Sequence, residues 1–403
     1  MSNRSTRTVI LILGGLAAMA PFSIDMYLPG FPHIAQALQT DIAHVTLSLT
    51  SYFIGISLGQ LVYGPLLDRF GRKKPVLVGL ALYSLASIGC ALALNVQLLI
   101  GFRFLMALGG CAGMVAVRAI VRDMFPVNEI AKTISLLMLV MGAAPIVAPT
   151  IGGYVVMTLG WRGIFLVLVG WGVWLVFLVA RILPESKEAD PSVSLNPGPV
   201  LLEYLRLFRD PWLMAYTLSG GLSAAGMFAY ISGSPFVFMQ LFHLSEQQYG
   251  WVFGSNAFGL IASSQLNRLF LRHLTSAQLV RIGVTLHALT GLLLVLGNAR
   301  GFLPPLGTMI LVFCYLFIQG MLYPNTSALA LEPYAKNAGV VSGLMGFLQS
   351  IVATIASALV SVLHNGTAIP MTGVMAGCAL IGFCCLFGGE IIIGNKRAAT
   401  TAV

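Results

Sequence analysis

Apolar residues in this chain do not alternate with polar ones. They run together in blocks of roughly 20, the length that carries an α-helix across a bilayer, and short polar stretches separate the blocks. Strands of a membrane barrel would alternate over about ten residues, and no such pattern is present. Taken in order, the blocks predict membrane helices over about Thr8–Tyr27, His44–Leu66, 75–94, 98–122, 132–157 and 161–183. Six more are predicted over 211–235, 248–270, 277–297, 303–330, 338–363 and 370–393. Pro29-Gly30-Phe31-Pro32 is read as the opening of a loop after the first helix. Between the sixth and seventh helices the composition changes: Glu185, Lys187, Glu188 and Asp190 are followed by Pro191, Pro197 and Pro199, which marks a linker. Its end, Val200 to Arg209, has helical apolar spacing with charges on one side, as a helix lying on a membrane surface would. The expected fold is an all-α polytopic membrane protein with twelve transmembrane helices in two pseudo-symmetric halves, 1–184 and 211–403, joined by the linker 185–210. Such a layout suits a transporter whose substrate site lies between the repeats.

Composition supports this class. With 58% hydrophobic and 9% charged residues the chain lacks the polar surface of a soluble domain. The net charge of +9 would suggest nucleic acid in a soluble protein, but its placement argues for topology. The predicted inner segments hold Arg4, Arg7, Arg69, Arg72, Lys73, Lys74, Arg122, Lys132, Arg181, Lys187, Arg206, Arg209, Arg268, Arg272, Arg281, Lys336, Lys396 and Arg397; the outer loops hold Arg162 and Arg300. This positive-inside bias puts both termini in the cytoplasm and implies anionic lipid contact, with no nucleic-acid partner. Arg4 and Arg7 ahead of an apolar run resemble a signal peptide, yet Pro21, Asp25 and Tyr27 follow without a cleavage pattern, so a retained first helix is expected. All six cysteines fall inside predicted helices, where none is placed for an outer-loop disulfide, and the six histidines show no ligand spacing. No metal site, cofactor, phosphate loop or nucleophile elbow is predicted, and the linker is too short for an ATPase domain. The reading is therefore not an enzyme.

Candidate chemistry stands out against the apolar background. Gly64-Pro65-Leu66-Leu67-Asp68-Arg69-Phe70-Gly71-Arg72-Lys73-Lys74 concentrates charge in the turn after the second helix. Gly64 and Gly71 allow close approach and positive φ, and Asp68 and Arg69 can bond the ends of neighbouring helices. A weaker echo, Asn267-Arg268 to Arg272-His273, follows the second helix of the other half. Asp25 is the carboxylate expected in the outer part of a membrane helix; it is either a proton-loading group or a helix-end cap in water. Arg103 and Arg118 lie fifteen residues apart in helix four, so both can face one side. Arg118 either attracts substrate or responds to Asp25, or else snorkels to headgroups, while Arg103 is read as structural or proton-coupling. Tyr27, Tyr52, Gln60, Phe228, Tyr230, Asn256, Gln319, Asn325 and Gln349 are candidates to line a substrate cavity, or, for the amides, to bond another helix. In helix five, Gly142, Pro145, Pro149, Gly152 and Gly153 remove helix hydrogen bonds and permit close packing.

Several of these stretches carry a family resemblance. Gly64–Lys74 closely fits the inner-turn signature of the major facilitator superfamily, which implies that Gly64, Asp68, Arg69, Gly71 and Arg72 form a conformational latch. Arg103-Phe-Leu-Met106-Ala107-Leu-Gly109 resembles that superfamily's helix-four arginine motif, with Met106 and Ala107 where Gln and Gly are usual. Gly142 to Gly153 resembles its antiporter motif, with Ala148 replacing a glycine. Ile24-Asp25-Met26-Tyr27-Leu28-Pro29, Arg118 to Asp123, and Leu322-Tyr323-Pro324-Asn325 through Glu332-Pro333 look like the Bcr/CflA-type drug-resistance exporters of bacteria. The resemblance implies a monomer in the bacterial inner membrane that exports small drugs or toxic amphiphiles in exchange for protons, with Asp25, Arg103 and Arg118 coupling the proton. A transporter of a native sugar or amino acid would share the fold.

Overall fold

The computed structural model describes residues 3–125, 127–190, 198, 205–334 and 338–401, and among these it contains helices and turns but no strand. The long helices are α1 (Asn3–Asp25), α2 (Ile42–Phe70), α3 (Lys73–Ala91) and α4 (Val96–Met124). Next comes the run Val127–Arg181, broken at Gly160 into α5 (127–159) and α6 (161–181). After the linker come α7 (Pro211–Ser234), α8 (Glu246–Phe270), α9 (Ser276–Ala299), α10 (Pro305–Leu331), α11 (Ala338–Val362) and α12 (Ile369–Thr401).

By length and composition alone, ten helices among the described residues could cross a membrane. The shortfall from the expected twelve has two physical causes. Val127–Arg181 is a continuous run of 55 residues, about 80 Å if it were straight, which is too long for one crossing. Gly160, at φ 70°, turns it back. Leu137 lies beside Gly14 while Leu175 lies beside Gly15, so both arms run along the same part of α1. The other cause is α8, which carries Gln247, Gln248, Asn256, Ser263, Gln265 and Asn267 and is too polar to register as a span.

Other boundaries move for local reasons. α1 ends at Asp25, and the expected loop at Pro29–Pro32 is instead a 3-10 turn (Leu28–Gly30) leading into a short helix, Phe31–Ala37. A proline in the first turn is compatible with a helix start because no amide hydrogen is needed there. α7 continues through a π-turn at Pro235–Leu241, and α12 runs to Thr401. Of the expected surface helix at Val200–Arg209, residues 200–204 lie outside the described residues and 205–207 are helical.

The chain divides into two compact units, Met1–Leu195 with His243–Gly254, and Asn196–Phe242 with Ser255–Val403. α8 therefore begins in the first and continues in the second. In the first unit small residues let helices meet backbone to backbone: a methyl on Gly79 of α3 would lie 2.7 Å from the Gly109 carbonyl oxygen of α4. α3 buries Val76, Leu80, Tyr83, Ser87 and Cys90 on one side and exposes Val78, Leu85 and, at its end, Leu92 on another. An exposed apolar stripe of this kind suits lipid. In the second unit Leu213, Tyr216, Val280, Val284, Leu322, Leu344 and Leu386 form one apolar core.

The charged turn between α2 and α3 is held by the linker. The Glu185 carboxylate accepts from the backbone N–H of Arg72 at 2.6 Å and of Lys73 at 3.1 Å, so it caps α3 and complements the positive end of that helix. Gly71 sits at φ 81°, and a Cβ there would approach the Glu185 carboxylate to 2.9 Å. The expectation for Gly64 does not hold: it lies inside α2, and a Cβ there would meet nothing within 4 Å. Gly71→Ala is expected to cost about 1–3 kcal/mol through its left-handed backbone and the crowded cap. Gly64→Ala should stay within about 0.5 kcal/mol of the parent or stabilise it. Thermal unfolding of the two variants in detergent checks the contrast; equal midpoints would contradict it.

Candidate functional site

The end of α1 is where several of the predicted residues meet. A helix leaves its last carbonyls without helical partners, and in apolar surroundings each needs a donor. The Phe22 carbonyl accepts from Met26 N–H at 3.2 Å. The Ser23 carbonyl accepts from Nη1 of Arg103, on α4, at 2.9 Å. Arg103 is completely buried, its guanidinium 4.4 Å from the ring centroid of Tyr27 and 4.3 Å from that of Tyr52. A cation at a helix C-terminus is favoured by the helix dipole, and two aromatic faces replace part of its lost hydration. Nε and Nη2 of Arg103 have no hydrogen-bond partner among the described residues.

The surrounding hydroxyls lock this arrangement. Ser48 gives its single hydrogen to the Val45 carbonyl, so at 2.7 Å the Tyr27 hydroxyl is the donor to Ser48. By the same logic Ser23 donates to the Met19 carbonyl and accepts from Tyr83 at 2.7 Å. From the other side Gly152 of α5 presses on α1, and a Cβ there would overlap the Met26 carbonyl. Between the two gripped carbonyls stands Asp25, buried at 4% exposure. Among the described residues its carboxyl forms no hydrogen bond or ion pair.

The other candidates are dispersed. Arg118 is exposed while Arg103 is fully buried, so the expected shared face does not hold. Fifteen residues leave about 60° between two side chains on a helix, enough to separate a packed from an open position. Six of the proposed cavity residues are packed between helices: Tyr27, Tyr52, Tyr230, Asn256, Gln319 and Asn325. Asn256 donates to the Tyr230 hydroxyl at 2.9 Å, Asn325 donates to Asn267 at 2.6 Å, and Gln319 accepts from Ser223. Their polar groups serve helix-to-helix bonds, because an unpaired amide in such surroundings is costly. Phe228, Gln60 and Gln349 are half-buried, and Gln349 accepts from Tyr323 at 3.2 Å. Pro145 and Pro149 lie within α5, Gly153 lies against the backbone of Glu246, and the surroundings of Gly142 lie outside the described residues. Sequence reading missed His287: it is buried in α9, its Nδ1 3.2 Å from Ser223 and its ring against Tyr315. The missed signal was one histidine in an otherwise apolar helix, masked by the search for ligand spacing.

The charged turn forms a second cluster. Arg72 is almost wholly buried; its Nε donates to Asp123 at 2.7 Å and its Nη1 to Asp68 at 2.9 Å. Burial alone would lower its pKa, but the hydrogen bonds and charges of Asp123 and Asp68 outweigh burial and hold it above the usual arginine range. Lys187 reaches Asp68 at 2.9 Å and Ser186 donates to Asp123 at 3.4 Å, so three successive linker residues, Glu185 to Lys187, grip this turn. Arg69 lies beside the Phe70 ring. At the counterpart turn, Asn267 is buried and bonds Asn325, while Arg268 and Arg272 are exposed and form no ion pair among the described residues.

Residues 13–357 match the family model of the Major Facilitator Superfamily. The chain is 38% identical over 381 residues to YdgK, an uncharacterised MFS-type transporter of Bacillus subtilis, covering 94% of each. It is 31% identical over 380 residues to a bicyclomycin resistance protein homologue of Haemophilus influenzae, covering 94% of this chain and 95% of that one. Its fold is similar to the crystal structure of a bacterial homologue of the human lysosomal transporter Spinster, with a TM-score of 0.73 at 14% identity, over 97% of this chain and 98% of that one. A chain matched over this much of its length, with these helices and this charged turn, is a multi-pass membrane transporter belonging to the Major Facilitator Superfamily.

Proposed function

We propose that this transporter exports small antibiotics or other toxic amphiphiles from the cytoplasm of a bacterium in exchange for protons, by alternating access in the inner membrane. The observation that carries the reading is Asp25: a buried carboxyl without a partner among the described residues, between two carbonyls that Arg103 and Gly152 hold in place. An ionised carboxylate in that position is expensive, and such groups mark ion paths through membrane proteins. The similarity to a bicyclomycin resistance protein homologue supports a drug as the exported compound. The placement of Lys and Arg supports cytoplasmic termini.

In the proposed cycle Asp25 takes a proton when the site opens outward, and substrate leaves. The protonated form crosses to the inward-open state, where the proton departs and substrate binds. Arg103 acts as a positioning residue: it fixes the last turn of α1 and places Nε and Nη2, which have no hydrogen-bond partner among the described residues, near the chain segment that bears the proton. The turn at Asp68–Lys73, with Asp123 and the linker, is the conformational latch, since it ties the ends of α2, α3 and α4 to the chain that joins the halves. No cofactor is needed, and one chain suffices.

Asp25→Asn is expected to abolish drug resistance in a sensitive host, with substrate-driven proton movement in inverted vesicles down by about tenfold or more. Resistance and proton movement equal to the parent would overturn the role of Asp25, and uptake of a labelled metabolite without drug protection would overturn the substrate class. Arg103→Met should lower thermal stability by about 1–3 kcal/mol, because the Ser23 carbonyl loses its donor in a buried place. An unchanged unfolding midpoint would contradict the positioning role.

A further inference from the structure

His287 plays no part in the cycle above, and its neighbours lie within the second unit. A buried imidazole has to be satisfied by the helices around it, since an unpaired polar group in such a place is costly. The direction of its bonds follows from where the hydrogens are. Ser223, on α7, has one hydroxyl hydrogen and gives it to Oε1 of Gln319 on α10, which can only accept. The Ser223 oxygen therefore accepts from Nδ1 of His287 at 3.2 Å, so Nδ1 carries the ring hydrogen. Nε2 is left with a bare lone pair, buried and without a hydrogen-bond partner among the described residues. The ring is held in this orientation. It lies against Tyr315, with centroids 3.7 Å apart, and the Tyr315 hydroxyl in turn donates to the Met375 carbonyl of α12 at 2.8 Å.

Ser219 has the complementary lack. Buried serines in other helices of the chain give their hydrogens to the carbonyl one turn back: Ser57 to Phe53 at 2.9 Å, Ser84 to Leu80 at 2.9 Å and Ser87 to Tyr83 at 2.7 Å. Ser219 has the same option and does not take it. Its hydroxyl is buried and has no hydrogen-bond partner among the described residues. It lies one turn before Ser223, about 40° round α7 from it. It also borders α12, where a Cβ on Gly382 would lie 3.4 Å from the Ser219 carbonyl. α9 reaches the same α12 one turn beyond His287, where a Cβ on Gly291 would lie 2.9 Å from Ala376. An unfilled donor and an unfilled acceptor thus border the same three helices. Thr217, also unfilled, lies about 160° round α7 from Ser219 and belongs to another side of that helix.

We infer that an internal water binds between α7, α9 and α12, accepting from the Ser219 hydroxyl and donating to Nε2 of His287. Both residues are 1% exposed, so the occupant has to be small. Water accepts and donates at once, which is what this pair of groups asks for, and buried waters typically take such bridging places. α9 is then tied to α7 twice, directly through Ser223 and through the water by way of Ser219. Neither tie depends on what the transporter carries.

The test uses the full chain in lipid nanodiscs with isotope-labelled histidine and nitrogen NMR. The His287 signals are those that disappear in His287→Asn. The parent should show a protonated Nδ1, an unprotonated Nε2 and magnetisation transfer from water to Nε2. Ser219→Ala should weaken that transfer and lower the unfolding midpoint by about 1–3 °C, because the water loses a partner. The drop should vanish in a His287→Asn background, where the water has already lost its acceptor. A hydroxyl that truly had no partner would behave in the opposite way, and its removal would raise the midpoint in both backgrounds. A proton on Nε2, no transfer from water in the parent, or a midpoint that rises in Ser219→Ala overturns the site. The NMR of the parent decides the question even where a variant does not fold.

Discussion

The carbonyl groups at the end of α1 set the constraint on which the site depends. They emerge where there is little water, so the fold must bring donors and close-packed backbone to them. Arg103 supplies a donor from α4, and Gly152 brings α5 down onto the next carbonyl but one beyond Asp25's neighbour Ile24, that of Met26. Tyr27 and Tyr52 shield the guanidinium that results. Three helices are thereby fixed around one carboxyl that has no partner among the described residues. In the proposed cycle this acid exists in both states by exchanging its proton, since an ionised carboxylate held in such a place is expensive.

The two halves treat equivalent turns differently. After α2 the cation Arg72 is buried between Asp68 and Asp123, and the linker adds Glu185, Ser186 and Lys187. After α8 the cations stay exposed and the anchoring bond is the neutral Asn267–Asn325 pair. Buried ion pairs are costly to open and specific in geometry, whereas a neutral amide pair is a simple helix tie. This asymmetry is in keeping with the proposed assignment of the proton chemistry to the first half.

Much of the fold was legible in hydropathy, because a membrane helix announces itself by length and apolar content. Where that signal failed, the reasons are local: α8 is polar because its amides bond neighbouring helices, and α5 and α6 merge because a single glycine makes the reversal. Asp25 and the charged turn were also legible, since a charge in an apolar run needs a reason. What the sequence could not show were pairings across long separations. Glu185 caps a helix that starts at Lys73, and Arg103 stacks between Tyr27, in the turn after α1, and Tyr52 of α2. For the amides the helix-bonding alternative is the one the contacts display: Asn256, Gln319 and Asn325 have partners that no local pattern reveals.

The central claim is that one proton leaves Asp25 as substrate binds. The direct measurement is proton release into weakly buffered solution when an exported drug binds the purified protein in detergent, compared with Asp25→Asn. The account predicts release from the parent and none from the variant while the variant still binds drug. Equal release from both would contradict it.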